Sequence, residues 1–456
     1  MNLEQEVERL RAENRELRQQ LAVALAHIVE LEAQLPGPGE APAFVKANRQ
    51  QKVAGAPQPR KKRAAVHNKA RRRAQPTRIE RHALEHCPEC RCRLRGESLD
   101  YRREVLELPP PQAVEVLEHQ VVKRWCPHCA CWRSPHLDLR GQVIGQGRIG
   151  VGIASLVAWL RTSLRMPARQ VQEYLATLHN LTLSSGEIIA LTHAVGQELQ
   201  GAADQLLVTA RGQEVVHQDE TGWRQDGQNG YVWLTATDGA AAVRHYEFSL
   251  SRSHHVPQRL LGPRFQGVLV SDFYAAYNLL PGRHQRCWVH LLRDLHHLKD
   301  AHPESAESIA WALAVRQLYD EAQAWLAAHL TPTTEQRQQY YLQLQQRACA
   351  LGQQHAFTAG HPCCALAKRL LRHQDELFQF VLVPGLPADN NLAERGLRPL
   401  VIMRKISGGS RSPHGTRTRL TLASLFATWQ ARLLNPFNEC LTALQHAAPT
   451  PQAASP

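Results

Sequence analysis

Three acidic residues of this 456-residue chain have the surroundings that metal-assisted phosphoryl transfer needs. Asp219 closes the alternating run Glu214-Val215-Val216-His217-Gln218-Asp219, and Asp272 closes Gly267-Val268-Leu269-Val270-Ser271-Asp272, so each reads as a residue at the end of a strand. Glu394 follows Asp389-Asn390-Asn391, whose side chains suit the cap of a short helix, and Pro399 lies five residues beyond the acid. Two carboxylates from strand ends and one from a helix can hold two divalent ions about 3.5 to 4 Å apart, the arrangement that supports in-line displacement at phosphorus. Hard oxygen ligands favour Mg²⁺ (or Mn²⁺). Each acid alone has a plainer reading: an Asp after a strand commonly caps a turn, and Glu394 can pair with Arg398 one helical turn on.

To bring these acids together, the central third must form a sheet. Residues 230–237 and 241–248 read as two further strands beside those that end in Asp219 and Asp272. Residues 303–380 are rich in Leu, Ala, Gln and Arg at helical spacing, so helices separate Asp272 from Glu394. Upstream, 151–164 reads as a helix, a second runs from Met166-Pro167 to about Leu178, and a third opens at 183–187 with Ser184 or Ser185 as its N-cap. Short helices joined by turns match a helix-turn-helix unit, or equally a packed three-helix segment with no DNA role. The fold class is α/β.

Cys87-Pro88-Glu89-Cys90 and Cys126-Pro127-His128-Cys129 are two C-x-x-C knuckles 35 residues apart. Four thiolates so spaced can close a tetrahedral zinc site, a structural one because no coordination position stays open. The apolar run 113–122, which follows Pro109–Pro111, suits the strands of a zinc ribbon, and Cys92 and Cys131 are competing ligands at a matching offset. Reduced, buried structural cysteines are the plain alternative. Eleven cysteines are few for a disulfide scaffold.

The first 35 residues carry a heptad pattern, with Leu3, Leu10, Leu17, Ala24 and Leu31 at one core position and Val7, Asn14, Leu21, Ile28 and Leu35 at the other. A single polar core residue such as Asn14 favours a parallel, in-register dimer, so residues 3–35 predict a homodimer. The chain's formal charge of +13 is concentrated: residues 46–81 hold 13 Lys plus Arg and one acid, Glu80. Arg60, Lys61, Lys62, Arg63, Arg71, Arg72 and Arg73 make this a disordered arm suited to nucleic acid, or a merely solubilising linker. The apolar stretch 149–160 is closed by Arg148 and Arg161, short of a membrane span, and the start MNLEQEVERL is no secretory signal. The expected compartment is the bacterial cytoplasm.

The acids stand in Asp219-Glu220-Thr221-Gly222-Trp223, in Ser271-Asp272-Phe273-Tyr274-Ala275-Ala276-Tyr277, and in Asn390-Asn391-Leu392-Ala393-Glu394-Arg395-Gly396-Leu397-Arg398-Pro399. With these motifs the chain resembles the DDE transposases of the insertion sequence 66 family over nearly its whole length. Cys287-Trp288-Val289-His290 resembles the family's C-W-A-H segment with Val for Ala, and Arg404-Lys405 with Gly408-Gly409-Ser410 resembles its R-K and small-residue run. The linker lacks the family's Ser-rich, Pro-Pro-containing phrase, and 410–417 departs from its commonest version.

The resemblance implies an RNase H-like catalytic core with a helical insertion, preceded by a coiled coil, a zinc-ribbon-like module and a helix-turn-helix-like segment. On this reading the chain divides into a leucine zipper (1–35), a basic linker (36–81), a zinc-binding module (82–140), the helix-turn-helix-like domain (141–205), the catalytic domain (206–430, insertion about 300–385), and a terminal helix and tail (431–456). It further implies magnesium on Asp219, Asp272 and Glu394, structural zinc on Cys87, Cys90, Cys126 and Cys129, and cleavage and strand transfer of double-stranded DNA at element ends and target. Implied partners are a second copy and small accessory proteins of the element, at the nucleoid. Arg395, Arg398, Arg404 and Lys405 are candidates to hold phosphates beside the site, or form a solvated basic face. Cys287 and His290 match a C-x-x-H pair found in several DDE groups, for which a structural or DNA-positioning role, a satisfied core His and a second metal site all stand open. A catalytically inactive DNA-binding regulator and an RNase H-like nuclease or resolvase without integration activity are the rival functions.

Overall fold

The second C-x-x-C pair forms the turn of a small hairpin in a computed structural model of the chain: β1 (Arg124–Cys126) pairs antiparallel with β2 (Cys131–Arg133). The structure describes residues 75–446 together with 14, 16, 17 and 19–21. Arg60, Lys61, Lys62, Arg63, Arg71, Arg72 and Arg73, most of the zipper, and the tail after 446 lie outside the described residues. The chain divides into two units, Met1–Leu108 and Pro109–Pro456. In the first, residues 14, 16, 17 and 19–21 are helical with Leu17 and Leu21 exposed. Its C-x-x-C pair makes a tight loop in which the Cys87 amide donates to the Cys92 carbonyl (2.9 Å) and Arg91 takes a positive φ. In the second unit the Cys129 amide rests 3.4 Å from Cys126 Sγ. The ribbon strands expected at 113–122 do not form. Val116 and Leu117 there are exposed, and the only strands near the knuckle among the described residues are β1 and β2.

Three helices follow much as expected: α1 (Val151–Thr162), α2 (Ala168–His179) and α3 (Ser185–Glu198). Val157 and Leu160 of α1 bury against Val171 and Leu175 of α2 and against Leu183 and Ile188, which fixes how the segment packs. Ser184 is the N-cap of α3: its Oγ accepts from the Glu187 amide (3.1 Å) while the Glu187 carboxylate accepts from the Ser184 amide (2.8 Å). Such a capping box satisfies two amides the helix cannot, so Ser184→Ala should cost about 1 kcal/mol of stability, read as a lower urea midpoint. α4 (Gln200–Arg211) leads into the sheet.

The sheet has five strands, β3 (Val215–Gln225), β4 (Gln228–Thr237), β5 (Val243–Ser249), β6 (Val268–Ser271) and β7 (Arg283–Arg286), in the order β5-β4-β3-β6-β7. The first three form antiparallel pairs, whereas β6 and β7 run parallel to β3. Period-2 alternation along β4 sorts its side chains: Val232, Leu234 and Ala236 pack toward the late helices, and Trp233 packs on the opposite face with α5 (His255–Leu261). The whole is a mixed α/β structure.

Between β7 and the third acid lie α6 (Trp288–Ala301), α7 (Ala306–Ala328), α8 (Thr334–His355), α9 (Cys364–Arg372) and the short α10 (Gln379–Leu382). They share a core with Val268 and Val270 of β6, so the predicted insertion is helical. α11 (Asn391–Ser407), α12 (Pro413–Ala431) and α13 (Pro436–Gln445) complete the chain. α11 is not the short helix expected from Pro399. It continues through that residue, which is exposed while Leu397 and Leu400 anchor the helix to the sheet. Among the described residues no helix is long and apolar enough to cross a membrane.

Candidate active site

Asp219 is not at a strand end. It is the fifth residue of the 11-residue β3, because the antiparallel ladder with β4 runs on to Gln225. The parallel ladder with β6, however, ends at His217 paired with Val270. Asp219 and Asp272 therefore leave the parallel pair at its carboxyl end, each two residues beyond that last rung. Asp219 lies opposite Leu234, on the face that carries α11, while Glu220 lies opposite Trp233 on the other face. Asp219 Oδ1 accepts from the Glu220 amide (2.9 Å), and Asp272 Oδ1 accepts from the Tyr274 amide (2.9 Å).

Asp219 feels the other two acids. Burial first, then the charges of Glu220, Asp272 and Glu394, push Asp219 up to about 8 against the opposing Glu220 amide. Glu394 Oε1 makes no hydrogen bond, nor does His290 Nδ1, 3.7 Å away. Glu394 thus faces His290 rather than Arg398. Among the described residues the groups whose ligand atoms lie within 4.8 Å of one another are Cys287, His290 and Glu394 at this site and His355, His361 and Cys363 in the insertion.

A buried network sets the third acid. The Asn390 side chain does not cap α11; it donates to the Gln218 carbonyl (2.9 Å) and meets His217 Nδ1 (3.0 Å). Its amide donates to Cys287 Sγ (3.2 Å), and the Cys287 amide donates to the Ser271 carbonyl (2.9 Å). Asp389 supplies the turn instead, accepting from the Asn391 amide (3.0 Å). Cys287 and Asn390 so tie the segments bearing all three acids, and burial pushes the Cys287 thiol up.

Burial lowers His217 to about 4, only partly offset by its bond to Asn390. A folded-state value below the unfolded one, about 6.5, gives stability that is present at neutral pH and lost as pH falls through 4. The expected loss is about 3 kcal/mol between pH 6.5 and 4. His217→Gln should flatten that limb of the urea-midpoint curve; an unchanged curve would show that His217 is not held neutral.

Sequence reasoning missed Glu220. Its side chain is only 2% exposed, paired with Arg252 (2.7 Å) and bonded by the Tyr277 hydroxyl (2.6 Å). An acid placed directly after Asp219 in a strand was the available signal, but its partners lie 32 and 57 residues away. Of the basic candidates, Arg395, Arg398 and Lys405 are exposed on α11, whereas the Arg404 guanidinium donates to the Gly222 carbonyl of β3. Arg404 is a strut of the fold.

The sequence model described as Transposase IS66 family matches residues 146–418. Among curated relatives, the uncharacterized protein y4jO of Sinorhizobium fredii is 30% identical over 166 residues, 35% of this chain and 47% of that protein. The uncharacterized protein y4qI of the same organism is 26% identical over 273 residues, 54% of this chain and 50% of that protein. The chain spans about half the length of these relatives.

Proposed function

The chain belongs to the IS66 transposase family, and from that membership we propose that it cuts and joins DNA strands to move an insertion sequence, with Asp219, Asp272 and Glu394 as the catalytic acids. The observation that carries this reading is that Asp219 and Asp272 each lie two residues beyond the last parallel rung of β3 and β6, with Glu394 near enough for its charge to act on Asp219. The strand order, three antiparallel strands followed by two parallel ones, supports an RNase H-like core.

The donor set fits divalent metal. The charges of Asp272 and Glu394 act on Asp219, although the three are not among the groups of described residues whose ligand atoms lie within 4.8 Å of one another; Glu394 Oε1 is without a hydrogen-bond partner, and oxygen ligands of this hardness suit Mg²⁺ (or Mn²⁺). When bound, such ions neutralise the acids and stabilise the attacking and leaving oxygens of phosphoryl transfer. The chain's own residues hold the frame: Asn390 and Cys287 orient Glu394 against β3 and β6, the Tyr274 amide fixes Asp272, and the Glu220 amide fixes Asp219. Exposed Arg395, Arg398 and Lys405 are placed on the same helix as Glu394 to meet phosphates.

The remaining modules belong to the same proposal. Cys87 with Cys90, and Cys126 with Cys129, are two thiol pairs of the kind a structural zinc takes. In support, amide donors around Cys90 and Cys126 lower both thiols, favouring the thiolate that zinc needs. Helices α1–α3 form the helix-turn-helix-like unit, the zipper (1–35) a homodimer, and the arm a nonspecific grip on DNA, with small accessory proteins as further partners.

The test is incubation of the full chain with labelled element ends and target DNA in Mg²⁺. Strand-transfer products are expected. Cutting without joining would show a nuclease, and binding without either would show a regulator; both outcomes overturn the proposal.

A further inference from the structure

Helices α1, α2 and α3 on one side and α11 and α12 on the other line a cleft of about 670 Å³ whose lining includes Arg161, Arg165, Arg411 and Arg419 and no acid. Arginines inside proteins normally meet carboxylates, as Arg286 meets Glu376 in this chain. Here the polar partners are weak. Arg161 donates to the Met166 carbonyl (3.1 Å) and its Nε has no partner, while Arg419 donates to Ser407 Oγ (2.9 Å) and lies 5.6 Å over the Trp223 ring. Two half-buried cations of one sign therefore share a cavity without a counter-charge.

We propose that this cleft binds backbone phosphates of the DNA strand led to the carboxylates, with Arg161 and Arg419 as its anion contacts. The proposal rests on the DNA-processing reading above and names where the strand is held. Other features of the wall agree. The N-terminus of the 19-residue α12, capped by Ser412, opens into the cleft and adds positive potential. Ser410, also in the lining, is bonded to the strand that bears Asp219: its amide donates to the Arg224 carbonyl (2.8 Å), its carbonyl accepts from the Asp226 amide (2.8 Å), and its hydroxyl accepts from Trp223 Nε1 (3.2 Å). A ligand here touches the three-helix segment and is coupled by hydrogen bonds to the catalytic strand. Burial, and then the charge of Arg161, lowers Arg419 to about 10, and burial alone lowers Arg161, so the cleft holds both cations at a cost that a phosphate would relieve.

The experiment uses the full chain, a labelled duplex oligonucleotide and no Mg²⁺, so that binding is read without chemistry. Arg161→Gln and Arg419→Gln should each weaken binding and lower the slope of log affinity against log salt by about 0.9, the double variant by about 2. The same variants should unfold at a temperature equal to or above that of the parent, because an uncompensated charge has been removed. An unchanged salt slope overturns the proposal, as does a lower unfolding temperature, which would make the arginines structural. Competition by inorganic phosphate with no effect of the variants on DNA affinity would mark a small-anion pocket and also overturn it. If the variants lose the salt slope while the parent never joins strands, the catalytic reading fails and this one stands; a parent chain that binds no DNA overturns both.

Discussion

Asp219→Asn should sharply lower strand cleavage and at the same time raise the melting temperature of the metal-free chain at pH 8. The two effects have one cause. Asp219 is held up to about 8 by burial and by Glu220, Asp272 and Glu394, against an ordinary 3.8. A group raised in the folded state gives stability that is fully present below its unfolded value and lost as pH rises through the folded one, here between about 4 and 8. At 1.36 kcal/mol per unit the loss is at most roughly 5 kcal/mol, and relaxation of the four-carboxylate cluster will reduce it. Asparagine keeps an oxygen to accept the Glu220 amide and removes the charge. The variant should therefore melt several degrees above the parent at pH 8 and at the same temperature near pH 4. Mg²⁺ should raise the melting temperature of the parent and leave the variant nearly unmoved, since binding to the native state alone is what shifts it. Cleavage should fall by on the order of 10³-fold, as loss of several kcal/mol of charge stabilisation requires. A variant that still cuts, or that melts below the parent at pH 8, removes Asp219 from the metal-binding set.

How much of this was legible in the sequence differs residue by residue. An N-cap at Ser184 or Ser185 could be read locally, and the structure selects Ser184 because Glu187 closes a capping box with it within four residues. The alternation up to Asp219 was visible, but the continuation of β3 to Gln225 was not: Glu220-Thr221-Gly222 looks like a turn, and only the ladder with β4 keeps it extended. β7, with the sequence Arg283-His284-Gln285-Arg286, carries no apolar signal at all. It is a strand because His284, Gln285 and Arg286 bury their polar groups against partners such as the Leu280 and Leu377 carbonyls and Glu376. The three acids were found through their motifs, while the network that aims them, His217, Asn390 and Cys287, joins residues up to 173 positions apart and leaves no local pattern.

Arg286 is where such a nonlocal contact should have the largest effect on the fold. It is fully buried; its guanidinium pairs with Glu376 and donates to Ser271 Oγ (3.2 Å), the Asp272 carbonyl (2.9 Å) and Asn278 Oδ1 (2.9 Å). Burial alone would raise Glu376, but the His373 hydrogen bond and the Arg286 charge outweigh it and hold the carboxylate at about 2. Arg286→Met leaves that carboxylate with only His373, 2.8 Å away, and should cost about 3 to 5 kcal/mol, measured by urea unfolding. Adding Glu376→Leu removes the stranded charge, so the double variant should regain most of the lost stability. Activity should not return with it. The Asp272 carbonyl and Ser271 have still lost their donor, and a displacement of catalytic groups on the order of 1 Å can lower the rate about 10²-fold. Stability and cleavage thus separate in one mutant cycle. If cleavage recovers together with stability in the double variant, Arg286 only balances Glu376 and does not position Asp272.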